Sequence, residues 1–166
     1  LQGGATLQFS MVPMNFGLQG VADYVLSGSW SKKAIYEASK LVDTNVVCTS
    51  EPSNFNNVPK ETSWNCTENA AYLHYVANET IQGNALHIPP MTNAPLISDM
   101  SSVILSEPID ISRFSLIYAG AQKNIGPAGL TICIINNDFL KTASTDLPGM
   151  LQYAKHADAD LSLIHI

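Results

Sequence analysis

The sequence predicts an α/β fold, and two observations carry that prediction. Short apolar runs alternate along the chain with a stretch whose apolar residues recur at helical spacing. Two of the apolar runs also lead straight into polar, chemically capable residues. Asp99 follows Leu96–Ser98, and Gln122-Lys123 follows Leu116–Ala119. In open α/β sheets, ligands gather beyond the carboxyl ends of strands in this way.

The elements read as follows. Leu7 to Phe16 is mostly apolar and reads as a helix led in by Gly3-Gly4-Ala5-Thr6, with Pro13 as a dent in it. Ala22 to Leu26 is a short apolar piece ending in a Ser27-Gly28-Ser29 turn. Ser31 to Leu41 sets Ala34, Ile35, Ala38 and Leu41 opposite Lys32, Lys33, Glu37 and Lys40, the pattern of a surface helix on a core. Asn45 to Thr49 reads as a buried strand, and Pro52 to Asn65 as a long polar loop. Tyr72 to Val76 reads as a strand followed by a polar turn at Asn78-Glu79-Thr80. Pro89-Pro90 and Pro95 punctuate the next loop. Leu96 to Ser98 and Leu116 to Ala119 are short strands. Leu130 to Ile135, rich in β-branched residues, is the strongest strand of all. Asn136-Asn137-Asp138 reads as a turn, with Phe139 opening a helix.

Composition narrows the class. A chain of 166 residues, 46% hydrophobic and only 13% charged, suits one domain with a real core and argues against disorder. The net charge is −6 and no basic stripe is present, which disfavours nucleic acid as a partner. No apolar run reaches membrane-spanning length. The three cysteines, Cys48, Cys66 and Cys133, are widely spaced, so neither a disulfide framework nor a zinc site is expected, and the expected setting is reducing and cytoplasmic. No His/Asp/Glu cluster has metal-ligand spacing. Asn65-Cys66-Thr67 and Asn78-Glu79-Thr80 match the glycosylation acceptor pattern, but no secretory signal accompanies them.

Four features could carry chemistry. Lys123 lies in Gly120-Ala121-Gln122-Lys123-Asn124-Ile125-Gly126-Pro127-Ala128-Gly129, directly after an apolar strand. A partly desolvated amine there is of the kind that forms a Schiff base with a carbonyl, though a solvated loop lysine has the same local pattern. Asp99 could pair with a protonated ring nitrogen, or simply cap the segment that follows. Gly3-Gly4-Ala5-Thr6 before a helix offers free N–H groups and a hydroxyl to a phosphate, or is an ordinary helix start. Trp30 could stack on a flat cofactor or sit in the core. His74 on an apolar strand reads as a satisfied core histidine, and Arg113, the sole arginine, as a surface residue. Phosphate cradle, ring stacker, carboxylate and amine together make up what pyridoxal phosphate needs.

These stretches carry a resemblance. Gly3–Phe9, Gly28-Ser29-Trp30-Ser31, Ser98-Asp99-Met100-Ser101-Ser102 with Leu105-Ser106, and above all Tyr118–Gly129, resemble the phosphoserine aminotransferase family of fold-type I pyridoxal phosphate enzymes. The resemblance runs over nearly the whole chain. It implies a three-layer α/β large domain with a mostly parallel sheet over residues 1–160. It also implies that Leu161–Ile166 is a non-native tail, since that hexapeptide does not continue the pattern.

By residue, the resemblance implies that Lys123 forms the Schiff base with the cofactor and moves a proton during turnover. Asp99 would pair with the pyridinium nitrogen, Trp30 stack on the ring, and Thr80 bond its phenolic oxygen. Gly4, Ala5, Thr6 and Gln122 would form the phosphate cradle. The implied reaction is amino transfer between glutamate and 3-phosphohydroxypyruvate, giving O-phosphoserine and 2-oxoglutarate in serine synthesis. The family enzyme is a homodimer more than twice as long, so the substrate-binding arginines would lie outside these residues. Two other readings remain open. One is another class-V or fold-type I enzyme, such as a cysteine desulfurase or an alanine–glyoxylate aminotransferase. The other is a fragment without activity of its own.

Overall fold

The computed structural model describes residues 1–159; the expected non-native tail, residues 161–166, lies outside the described residues. The described residues hold four α-helices: α1 (Gly4–Phe16), α2 (Ser29–Ala38), α3 (Asn137–Leu140) and α4 (Tyr153–Asp158). The eight strands are β1 (Ala22–Leu26), β2 (Thr44–Thr49), β3 (Tyr72–Val76), β4 (Asn78–Glu79), β5 (Asn84–Ala85), β6 (Leu96–Asp99), β7 (Leu116–Gly120) and β8 (Thr131–Ile135).

Six strands form one sheet in the order β2-β1-β3-β6-β7-β8. Every pairing in it is parallel except β7 with β8, which is antiparallel at the edge. The expected mostly parallel α/β sheet is thus present. Parallel strands are buried on both faces, and β1, β3, β6 and β7 are buried at every position. Successive side chains alternate between two cores. Tyr24, Tyr72, Ile97, Leu116 and Tyr118 meet Phe9, Met11, Val12 and Phe16 of α1, Ala34 and Ala38 of α2, and Tyr153 of α4. On the other face Val25, Leu73, Tyr75, Ile117 and Ala119 pack with Met100, Ile104 and Phe114, partly covered by Trp64, Leu86 and Val103. Each fully buried large apolar side chain contributes about 1.5–3 kcal/mol.

Several sequence expectations are corrected. α1 starts at Gly4, earlier than expected, because Gly3 (φ 89°) turns the chain and the first helical turn needs no apolar residue. Pro13 stays inside that helix, on its buried face, so packing offsets the lost helical bond. The second helix begins at Ser29 and ends at Ala38, short of Leu41. Asn136 is not part of a turn: its Oδ1 accepts from the N–H groups of Asp138 and Phe139 at 2.9 and 3.1 Å and caps α3. Asn78 and Glu79 form β4, paired antiparallel with β5, rather than a turn. Arg113 is no free surface residue, since its guanidinium donates to the carbonyl oxygen of Pro89 at 2.7 Å and ties down the proline loop. His74 is satisfied on one side only: Nε2 bonds the Tyr118 hydroxyl at 2.9 Å, while buried Nδ1 has no partner. Burial lowers its pKa to about 3, which keeps the ring neutral.

Candidate active site

The four parallel strands β1, β3, β6 and β7 all point their carboxyl ends the same way, and each leads to residues of a common cleft. β1 leads to Trp30, β3 to Asn78 and Thr80, β6 ends on Asp99, and β7 leads through Gly120 to Gln122 and Lys123. The N-terminus of α1 completes the rim with Gly3, Gly4, Ala5 and Thr6. The cleft has a volume of about 440 Å3. It brings together all eight residues singled out in the sequence: Gly4, Ala5, Thr6, Trp30, Thr80, Asp99, Gln122 and Lys123.

The α1 turn is held at the sheet by its flanks. Thr131 N–H donates to the Leu1 carbonyl at 2.8 Å, and the Leu1 amino group donates to the Thr131 carbonyl at 2.6 Å. Gly120, at the end of β7, makes room for the helix start: a Cβ there would lie 3.0 Å from the Ala5 backbone nitrogen and 3.2 Å from the Ala5 Cβ. No side chain caps α1 and no acidic residue sits in its first turn. Its leading N–H groups and dipole are therefore open to an anion. Gly120→Ala should push the α1 turn outward and destabilise the fold by about 1–3 kcal/mol, as overpacking against backbone does. Thermal denaturation of the variant checks this.

Asp99 is buried at the tip of β6, 6% exposed. Its Oδ1 accepts from the Ser101 N–H at 2.9 Å and the Ser101 hydroxyl at 2.6 Å. Among the described residues Oδ2 accepts no hydrogen bond. Burial raises its pKa to about 6, against the opposing pull of the Ser101 bonds. Ser101 is itself anchored, because its Oγ accepts from the Gly120 N–H at 3.0 Å. Ser101 lies in a stretch that carries the family resemblance, but the sequence assigns it no role of its own. An Asp-x-Ser turn signal at Asp99–Ser101 could have found it.

Lys123 has φ 48°, a left-handed conformation that costs a non-glycine residue about 1–2 kcal/mol. It forms no ion pair among the described residues. The expected partial desolvation is not met: Lys123 is exposed, because the short 3-10 turn that follows β7 carries it clear of the sheet. Its amine is reached through the cleft rather than sequestered.

Trp30 and Thr80 form one wall. The Trp30 indole N–H donates to Thr80 Oγ1 at 3.2 Å, which leaves the threonine proton free for another acceptor. The Lys33 amine lies 4.4 Å from the centroid of the Trp30 ring. The backbone N–H of Trp30 donates to Glu79, a buried carboxylate that the sequence reading placed in a turn. No local signal in the sequence announces that contact. Among the described residues no group of three His, Cys, Asp or Glu side chains is placed to hold a metal ion, and no helix is long and apolar enough to cross a membrane.

Known proteins resemble this chain in sequence and in fold. The phosphoserine aminotransferase of Laribacter hongkongensis is 53% identical over 162 residues, which is 96% of this chain and 45% of that protein. That of Pseudomonas putida is 51% identical over 160 residues, 95% of this chain and 44% of the relative. The structure of phosphoserine aminotransferase from Bacillus circulans subsp. alkalophilus superposes with a TM-score of 0.91 at 46% identity, over 96% of this chain and 45% of that one. The pyridoxal-phosphate-bound enzyme from Trichomonas vaginalis superposes at 0.90 with 40% identity, over 97% of this chain and 46% of its own. The chain thus spans a little under half the length of the relatives it matches. The α/β architecture is the large-domain fold of these solved aminotransferases. A family model, aminotransferase class-V, matches residues 1–158. Because that match takes in the α1 turn and all four strand ends that build the cleft, the chain belongs to the class-V aminotransferase family.

Proposed function

We propose that this chain supplies the cofactor-holding part of a phosphoserine aminotransferase. The reaction is reversible amino transfer between glutamate and 3-phosphohydroxypyruvate, giving 2-oxoglutarate and O-phosphoserine, in a homodimeric enzyme of serine synthesis. One observation carries the reading: a buried carboxylate, an unpaired amine and an open helix N-terminus converge on one cleft. The relatives at about half identity that carry the name support the choice of substrates.

The residues fit pyridoxal phosphate. A buried carboxylate with one oxygen lacking a donor calls for a cationic N–H, and a protonated pyridine nitrogen is one. A helix N-terminus without an acidic residue suits a phosphate. When bound, the cofactor supplies an aldehyde that condenses with amines and a protonated ring that withdraws electrons from the substrate Cα. Asp99 Oδ2 would accept the ring N–H and hold that proton in place. The N–H groups of Ala5 and Thr6, with the Thr6 hydroxyl and Gln122, would hold the phosphate, with Gly4 forming the turn that exposes them. Trp30 would cover the ring, and the Thr80 hydroxyl would donate to the phenolic oxygen. Lys123 Nζ would serve as the nucleophile toward the aldehyde and as the base for the proton on the substrate Cα.

The test is chemical. The chain is mixed with pyridoxal phosphate, reduced with borohydride and digested. Label fixed on the Lys123 peptide supports the reading. Label scattered over Lys32, Lys33 and Lys60 contradicts it.

A further inference from the structure

The N-termini of the two long helices meet the cleft in opposite states. That of α1 is open, while that of α2 is filled from within. Glu79 is fully buried, 0% exposed, and belongs to no ion pair among the described residues. A carboxylate in that position requires donors. It finds them 48 and 49 residues away, in the first turn of α2. Ser31 N–H donates to Oε1 at 2.7 Å and Trp30 N–H to Oε2 at 2.8 Å. The α2 turn has no acidic residue of its own, so Glu79 supplies the charge its dipole favours. Gln82 extends the grip, with Oε1 accepting from Ser29 N–H at 3.0 Å and Nε2 donating to Ser29 Oγ at 2.7 Å. Three successive helix N–H groups are thereby held by the β4–β5 hairpin.

Two further contacts connect this clamp to the cleft. Thr80, the residue after Glu79, accepts the Trp30 indole N–H. Trp30 is therefore fixed at its backbone by Glu79 and at its ring by the neighbouring threonine. Gly28 leaves the space the clamp needs. A Cβ there would lie 2.6 Å from Glu79 Cδ and 2.7 Å from Gln82 Oε1. Its φ of 173° is ordinary extended backbone, so the glycine is needed for contact and not for conformation.

We infer that Glu79 is a positioning residue: its buried carboxylate locks the Trp30–Thr80 wall and so sets how closely Trp30 covers a ring bound in the cleft. By filling the α2 N-terminus it also leaves α1 as the open one of the two long helices that start at the cleft. The cofactor arm of the inference rests on the pyridoxal phosphate reading. The clamp itself does not.

The experiment separates the two. In a Trp64→Phe background, Trp30 is the remaining tryptophan of the chain's two. Acrylamide quenching of cofactor-free protein then reads the Trp30 wall directly. Glu79→Gln keeps the volume but offers a single acceptor oxygen to two N–H groups. It should raise the quenching constant roughly twofold or more through local opening. It should also weaken pyridoxal phosphate binding, read by absorbance titration, about tenfold. Gly28→Ala leaves the charge intact and displaces the carboxylate by contact, so it should act in the same direction and serves where Glu79→Gln fails to fold. A lower melting temperature with unchanged quenching and unchanged affinity in a folded variant overturns the inference, because a purely structural carboxylate would behave so. If the parent chain binds no pyridoxal phosphate, the cofactor reading fails, and quenching alone still decides for or against the clamp.

Discussion

Lys123→Ala is expected to abolish covalent capture of pyridoxal phosphate while leaving the fold intact. Lys123 is exposed, makes no ion pair among the described residues and contributes nothing to either core, so its loss removes chemistry and little stability. The α1 turn and Asp99 remain, so non-covalent binding should persist at reduced affinity. Borohydride reduction followed by peptide mapping should find the Lys123 peptide of the parent labelled and no specific label in the variant. In an aminotransferase built on this segment, as proposed, the same substitution should lower turnover roughly 10³-fold or more, because one amine would serve as both nucleophile and proton carrier. Equal labelling of parent and variant would show that another lysine does this work.

Asp99→Asn carries the second large effect, and its sign depends on what is bound. In the cofactor-free chain burial raises the Asp99 pKa from 3.8 to about 6. The raised value means the folded state holds the proton more tightly than the unfolded one. The contribution to stability is therefore complete below the ordinary carboxylate range and is lost as pH rises through about 6. The loss amounts to about 3 kcal/mol at about 1.4 kcal/mol per pH unit. His74 works against it. With its pKa lowered to about 3, the neutral ring stabilises the fold above the ordinary histidine range, and that stability is lost as pH falls. The two slopes overlap near pH 5, so the parent curve alone is flattened. The difference between parent and Asp99→Asn isolates the carboxylate, since His74 is common to both.

Urea midpoints from pH 4 to pH 7 should therefore show the variant gaining on the parent as pH rises, by about 2 kcal/mol over that window. Saturating pyridoxal phosphate should reverse the order, because a cationic N–H then meets the carboxylate, and a neutral amide gains less from it. A difference that does not vary with pH would mean that Asp99 ionises as freely in the fold as in the unfolded chain.

Five of the six strands of the main sheet were legible because each records its own burial, while β1 read only as a short apolar piece. Tyr72–Val76 and the β-branched Thr131–Ile135 match the observed elements at their ends or within one residue. The direction of β8 was not legible, since a five-residue apolar run reads the same when paired antiparallel. Helix ends erred for a local reason: apolar spacing starts only where a helix meets the core, so the turn at Gly4–Thr6 was missed. The individual site residues were legible through a resemblance that rests on long matched stretches, not through the local pattern of any one of them. Asp99, Trp30 and the Gly3–Thr6 start each had an ordinary structural reading that the local pattern alone favours. Their convergence supports the proposed site, because the ends of β1 and β6 and the start of α1 bring them into one cleft of about 440 Å3.

By itself, then, the sequence determined the α/β class and the order of most elements, and its resemblance to a family named the residues proposed to serve pyridoxal phosphate. Class and order reside in short windows, where periodicity and residue type report burial directly. Tertiary structure decided the rest. Strand order β2-β1-β3-β6-β7-β8 places the ends of β1 and β3 side by side. That adjacency lets Glu79 reach the α2 turn across 49 residues of chain and become a clamp instead of a turn residue. The same packing closes over His74 Nδ1, leaves Asp99 Oδ2 without a donor and carries Lys123 out past β7. A buried charge takes its character from the donors that surround it, and those donors are assembled only when distant segments meet.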